Sequence, residues 1–212
     1  MKLPHISMSC AMTECGVIGN KGKMPWRRLG RDLRRFRELT ENTAVVMGPK
    51  TYASLPEKYR PLPRRLNIIL TTNQNYKAPE GVLIAHDPRQ VLELAAIEGY
   101  VELFVIGGAM IYTSFLPIAE HLFITYVKSR AKGDTHFPHW EKSRWREVWV
   151  ESAYRKDKGD SYPTRFAEYR RMQKPLPQCN QVSWRHPDDA RFEAALAKKK
   201  RNRKKQKRPR AK

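Results

Sequence analysis

Four short apolar runs restrict this chain to few folds. Residues 43–47, 66–70, 82–85 and 103–106 are nearly continuous aliphatic stretches, without the apolar–polar alternation of a strand that has one wet face. Such runs suit strands buried on both sides, as in a parallel sheet covered by helices. Helical patterns separate them. Within residues 31–41, Leu33, Phe36 and Thr40 recur at three and four, and Asp32 shares a face with Phe36. Gly48-Pro49 opens a short helical segment through Leu55, and Pro56, Pro61 and Pro63 mark an irregular connector. Asp87-Pro88 gives an N-cap acid and a first-position proline to a helix whose inner stripe is Val91, Leu94 and Ala95. Gly107-Gly108 opens another helix, which Pro117 stops.

The chain begins with a mixed apolar strand at residues 5–12. After Pro117 the pattern changes. Residues 122–127, 146–154 and 165–171 read as strands without intervening helices, joined by turn chemistry at Lys132-Gly133-Asp134 and Lys158-Gly159-Asp160. Strand–helix alternation followed by late strands implies one α/β domain. Its central sheet is predominantly parallel, with antiparallel C-terminal edge strands and flanking helices. The domain is expected to occupy residues 1–172.

Charge separates that body from the C-terminal segment. Of 42 Lys/Arg and 21 Asp/Glu, the segment 173–212 holds 14 and 3, leaving net charges of +10 for the body and +11 for the tail. A basic body suits small polyanionic ligands, whereas a densely basic tail suits nonspecific nucleic-acid contact, anionic lipid, or solubility alone. Residues 188–200 have the charge order of a short helix, and 11 of the 15 residues from Lys198 onward are basic, a composition expected to stay disordered. The three cysteines, Cys10, Cys15 and Cys179, form no Cys-x-x-Cys pair, so free thiols in a cytoplasmic protein are expected. No window reaches the roughly 18 apolar residues of a membrane span.

The chemistry-bearing residues are few. Gly16, Gly19 and Gly22 lack the dinucleotide spacing G-x-G-x-x-G, so they read equally as a surface loop or as a loop over a site. Gly107-Gly108, after a buried strand and before a helix, suits phosphate approach or close packing alike. Asp32 stands among Arg31, Arg34 and Arg35 on an inward face. It reads either as a first-turn acid in a salt bridge or as an acid that binds a cationic ligand edge and tunes a proton transfer. His136 and His139 lack the further ligands of a metal site, and no metal is expected. There is no Gly-x-Ser-x-Gly, Walker loop or Cys/His pairing for nucleophilic catalysis.

Taken in order, Val17-Ile18-Gly19, Met24-Pro25-Trp26, Asp32-Leu33, Phe36, Val46-Met47-Gly48, Lys50-Thr51, Arg60-Pro61-Leu62, Arg65, Asn67-Ile68-Ile69-Leu70, Ile106-Gly107-Gly108, Ile111-Tyr112 and Gly133-Asp134-Thr135-His136-Phe137-Pro138 resemble dihydrofolate reductase over about residues 5–172. The resemblance implies NADPH-dependent reduction of 7,8-dihydrofolate to tetrahydrofolate, with hydride delivered to pterin C6 and a proton to N5, by a monomer. It casts Asp32, Trp26, Thr125 and Tyr112 as the catalytic group. Asp32 holds the pterin 2-amino group and N3, Thr125 bonds the acid and the pterin, and Trp26 helps hold a bridging water. On the substrate side it implies Ser9, Cys10, Phe36, Leu55, Arg60, Leu62, Arg65 and Ile106. Ser9 and Ile106 offer carbonyls, Phe36 and Leu62 wall the aminobenzoyl group, and Arg65 takes the glutamate α-carboxylate, a task for a planar bidentate donor.

For the cofactor, the resemblance implies Ala11, Val17, Ile18, Gly19, Asn20, Lys21, Gly22 and Lys23 at the nicotinamide. It implies Lys50, Thr51, Thr71, Thr72 and His86 at the adenosine side. Gly107, Gly108, Ala109, Met110, Ile111, Tyr112 and Thr113 fall at the pyrophosphate, with a cis bond between the two glycines. Pro49 and Met110 stand where many members carry a cation. A related reductase acting on a pyrimidine is the runner-up by fold, but its substrate would lack the glutamate that Arg65 awaits. The alternative of another class is a reductase-like scaffold whose tail, residues 198–212, binds nucleic acid weakly and without sequence preference.

Overall fold

The computed structural model describes residues 2–172. The short helix expected over 188–200 and the basic run from Lys198 lie outside the described residues. Strand β1 (His5–Thr13) occupies an interior position in an eight-stranded sheet. The apolar runs become β3 (Ala44–Met47), β4 (Leu66–Leu70), β5 (Val82–Ala85) and β6 (Glu102–Val105). These four and β1 pair in parallel, in the order β5-β4-β3-β6-β1. On the other side of β1, β7 (His121–Val127) is also parallel, and β10 (Thr164–Arg171) and β9 (Trp145–Val150) add the antiparallel edge. The runs are apolar because Val45, Val46, Met47, Ile68, Ile69, Leu103 and Val105 have no solvent exposure. Truncating one such Leu or Ile to Ala costs about 2–5 kcal/mol.

Among the described residues four α-helices flank the sheet: α1 (Gly30–Thr40), α2 (Pro49–Ser54), α3 (Pro88–Ile97) and α4 (Ala109–Phe115). Asp87 caps α3 as its sequence implies, accepting the Gln90 N–H at 2.8 Å. α2 and α4 start directly after β3 and β6, so both begin at the carboxyl edge of the parallel strands, where α/β folds bind ligands.

Three local features differ from the expectation. Leu33 is 49% exposed, so the inward face of α1 runs through Asp32, Phe36 and Thr40 instead. β9 ends at Val150 rather than near residue 154: the Glu151 N–H still reaches the Phe166 carbonyl at 3.0 Å, but the Phe166 N–H goes to the Glu151 carboxylate, which also pairs with Arg31, and an isolated bridge at Arg155 and Thr164 is all that follows. The glycine loop contains a short strand, β2 (Val17–Gly19), paired with β8 (Thr135–His136) in a separate two-stranded ribbon.

Candidate active site

The loop after β1 is held down at both ends. Its base is the β2–β8 ribbon, where the Phe137 N–H donates to the Gly16 carbonyl at 2.8 Å and Asp134 Oδ2 accepts the Lys21 N–H at 2.9 Å. That backbone donor, first among several causes, holds Asp134 below the usual carboxylate range. Gly133 lies so close that a β-carbon would stand 2.2 Å from the Gly19 carbonyl. At the far end Trp26 is buried with Leu29 and Val127, against Ala11 and Tyr162. The bulky indole pins the loop to the sheet. Asn20, Lys21, Gly22 and Lys23 between these anchors are exposed, while Ile18 and Gly19 are half-buried.

Beneath the loop α1 brings Asp32 to β7, where Thr125 hydrogen-bonds its carboxyl. Burial pushes Asp32 above the usual carboxylate range; Thr125 and the Arg35 guanidinium oppose the rise, and Asp160 adds to it. On β1, Cys10 hydrogen-bonds the Tyr112 hydroxyl of α4, and that hydroxyl donates to the Ser9 carbonyl at 2.7 Å. The Cys10 thiol itself donates to the Ala11 carbonyl at 3.5 Å. Burial raises both Cys10 and Tyr112, so both are neutral, and Asp32 acts electrostatically on each. Thr125, Cys10 and Tyr112 beside the Asp32 carboxyl are neutral, and the charges that act on it are those of Arg35 and Asp160. Such a carboxyl can hold an amidine-like edge or a proton.

Outward from Asp32, Phe36, Leu55 and Ile106 pack against the buried cluster that includes Leu62. Arg65 stands over the Phe36 ring at 5.8 Å, and its buried Nε has no protein partner. Burial, first, lowers its guanidinium pKa. A buried donor without a partner is costly, and an arriving carboxylate would satisfy it. Arg60 does not join this wall: it is exposed, and its guanidinium donates to the Ala53 carbonyl at 3.4 Å.

The carboxyl edge of β3 and β6 forms a cradle without side chains. The Gly48 N–H donates to the Gly107 carbonyl at 2.8 Å, and the Gly107–Gly108 peptide is cis. Gly107 has a φ of +109°, and a β-carbon there would stand 3.1 Å from the Tyr112 ring, so glycine is required. Thr51 Oγ1 lies 3.5 Å from the β-carbon position of Gly108. The first N–H groups of α4, from Ala109, Met110 and Ile111, are left free by helix geometry and suit an anion. Lys50 is exposed on α2, and Met110 is 78% exposed. The Thr113 hydroxyl turns back to Ala109 at 3.0 Å. Thr71 and Thr72 follow β4, and His86 Nδ1 meets the Thr71 carbonyl at 2.7 Å. Backbone donors, hydroxyls and a lysine fit a dinucleotide with phosphates. Among the described residues no group of three or more His, Cys, Asp or Glu is placed to hold a metal.

The family model described as "Dihydrofolate reductase" matches residues 5–171. This chain belongs to the dihydrofolate reductase family. It is 35% identical over 167 residues to dihydrofolate reductase type 3 of Salmonella typhimurium, covering 79% of this chain and 98% of the relative. It is 35% identical over 164 residues to the dihydrofolate reductase of Bacillus subtilis, covering 77% and 93%. The solved dihydrofolate reductase of Enterococcus faecalis, in complex with NADP(H) and RAB-propyl, superposes with a TM-score of 0.70 at 34% identity, covering 80% of this chain and 97% of that one.

Sequence reasoning assigned no role to three residues of this reductase that the structure places at or beside Asp32 and the loop. Asp134 carried a turn signal and stood in a family motif without a role of its own, yet it holds Lys21 across 113 residues. Asp160 was likewise a turn acid, and Arg35 one arginine of several. Only the juxtaposition of distant segments distinguishes them.

Proposed function

We infer that this chain reduces 7,8-dihydrofolate to 5,6,7,8-tetrahydrofolate with NADPH. The observation that carries the reading is the half-buried Asp32 carboxyl, hydrogen-bonded by buried Thr125, opening onto a wall that ends in Arg65, whose buried Nε has no partner. Asp32 accepts the pterin 2-amino and N3 protons, and Thr125 fixes the orientation of its carboxyl. The Ser9 carbonyl, oriented by Tyr112, receives the exocyclic amine from the other side. Phe36, Leu55 and Leu62 hold the aminobenzoyl ring, and Arg65 takes the glutamate carboxylate. Gly48, Gly107, Gly108 and the first turn of α4 would hold the pyrophosphate, and Lys50, Thr51, Thr71 and Thr72 the adenosine side. Bound NADPH supplies the hydride. The protein excludes water with the loop over residues 17–26, aligns pterin C6, and keeps a proton available for N5 through Asp32 and a water held near Trp26.

The chain is proposed to act as a monomer, as the family resemblance implies. Free Cys10 and Cys15 favour the cytoplasm. Weak nucleic-acid contact is assigned to residues 198–212 on composition. The decisive assay follows absorbance loss of NADPH, and of NADH in parallel, with dihydrofolate. Turnover with NADPH is expected; its absence from folded protein would remove the reading.

A further inference from the structure

The helix that carries the acid has no cap of its own. α1 begins after Leu29, whose side chain accepts no hydrogen bond. Its first free N–H groups are taken from 130 positions away: Asp160 Oδ1 accepts the Gly30 N–H and, at 3.3 Å, the Arg31 N–H. Asp160 Oδ2 accepts the Asp157 N–H at 3.1 Å, so the carboxylate is held from both sides. It is only 5% exposed, and among the described residues no cation bonds it. The approach depends on Gly30, where a β-carbon would stand 3.2 Å from Oδ1. Beside it, the Ser161 N–H and hydroxyl donate to the Arg28 carbonyl at 2.9 and 3.1 Å. The β9–β10 loop thus grips the chain on both sides of the α1 start.

We propose that Asp160 is a positioning residue for Asp32, capping α1 in trans to set where its first turn enters the cleft and adding a second negative charge beside the acid. The proposal rests on Asp32 being the pterin-binding acid. The groups facing Asp32 are Thr125 from β7, Cys10 from β1, Tyr112 from α4, Arg35 and Arg31 from α1, and Asp160 from the loop. Arg31 turns its guanidinium to Glu151 and to the Thr164 carbonyl and hydroxyl. Arg35 lies over the Phe166 ring at 4.5 Å, with buried Nη1 unpartnered and with Glu168, Glu151 and Asp32 attracting it. Cys10 and Tyr112 are neutral. Two nearby charges therefore act on Asp32 in opposite senses: Arg35 favours the carboxylate and Asp160 the protonated acid. Hydride transfer needs a proton at N5, so its rate falls as pH rises through the titration of this group. The Asp160 charge moves that fall to higher pH, and Arg35 moves it to lower pH.

The test uses the full-length protein and three variants. Asp160→Asn keeps the cap's acceptor oxygen, deletes the charge and gives up the bond from the Asp157 N–H, Asp160→Ala deletes cap and charge alike, and Arg35→Met deletes the cation. Two readouts are taken: the pH profile of single-turnover hydride transfer, and the titration of the Asp32 carboxyl in ligand-free protein by isotope-edited spectroscopy. In both, Asp160→Asn is expected to move the Asp32 titration down by about half a pH unit and Arg35→Met to move it up. Asp160→Ala is expected to add a several-fold rise in KM for dihydrofolate that Asn restores. An unmoved titration in Asp160→Asn overturns the charge role, and an unchanged KM in Asp160→Ala overturns the capping role. Undiminished turnover in Asp32→Asn would instead overturn the assignment of Asp32, which separates the two failures.

Discussion

Asp32 is in conflict with folding. Burial raises its folded pKa above the unfolded value, so the folded state binds the proton more tightly. Its contribution to stability is therefore greatest below the carboxylate range and declines as pH rises through the folded value. At neutral pH the group costs stability that its function requires. Asp32→Asn is expected to lower kcat/KM by about 10²–10⁴. NADPH affinity should be kept, and the Tm at pH 7 should equal or exceed that of the parent. Equal loss of NADPH binding, or a lower Tm, would mean a structural acid. Arg65 has the complementary task. Its Nε is buried without a partner in the free protein, and its ring contact with Phe36 orients the fork. Arg65→Leu should raise KM for dihydrofolate about 10–100-fold, the worth of a charge-assisted hydrogen bond, and leave kcat nearly unchanged. A comparable loss in kcat would place Arg65 nearer the chemistry.

Among the elements, the β2–β8 ribbon and α1 depend most on partners distant in sequence. β2 has three residues and β8 two, too short to stand alone, so loop closure rests on packing between Gly19 and Gly133 and on the Asp134–Lys21 bond. Gly133→Ala would push a β-carbon into the Gly19 carbonyl and open the ribbon. NADPH binding, followed by quenching of tryptophan fluorescence, should weaken about tenfold, the scale of one lost hydrogen-bonded contact, while the Tm changes little because the main sheet is untouched. An unaltered Kd would show that the ribbon does not govern cofactor access. By contrast β3, β4 and β6 are self-evident elements: their aliphatic runs have no other way to satisfy both burial and backbone pairing.

For the whole molecule, the family match ends at residue 171 and the basic tail begins just beyond. With the family match ending there, we expect the reductase chemistry to need nothing from residues 173–212. A chain ending at Met172 is therefore expected to keep kcat and KM, measured by the NADPH assay. RNA affinity should be present only in the full chain and fall steeply with added salt, as counterion release dictates. Equal RNA affinity in both chains would place the contact on the basic body instead.

The sequence by itself determined the strands of the parallel sheet, the capped start of α3 and the candidate acid, because hydrophobic period, N-cap chemistry and glycine placement act locally. The order and spacing of short motifs then pointed to the family. Tertiary structure alone decided which reading of each ambiguous residue holds. Asp32 is hydrogen-bonded by Thr125 of β7 and is not bridged by Arg31, which turns away to Glu151, and this favours its proposed role as the site acid. Arg60 leaves the wall for Ala53. The residues from 17 to 26 are held by β8 at one end and by buried Trp26 at the other. Apart from the local Arg60–Ala53 bond, these outcomes depend on contacts between segments distant in sequence, and a local pattern carries no record of which distant side chain will arrive.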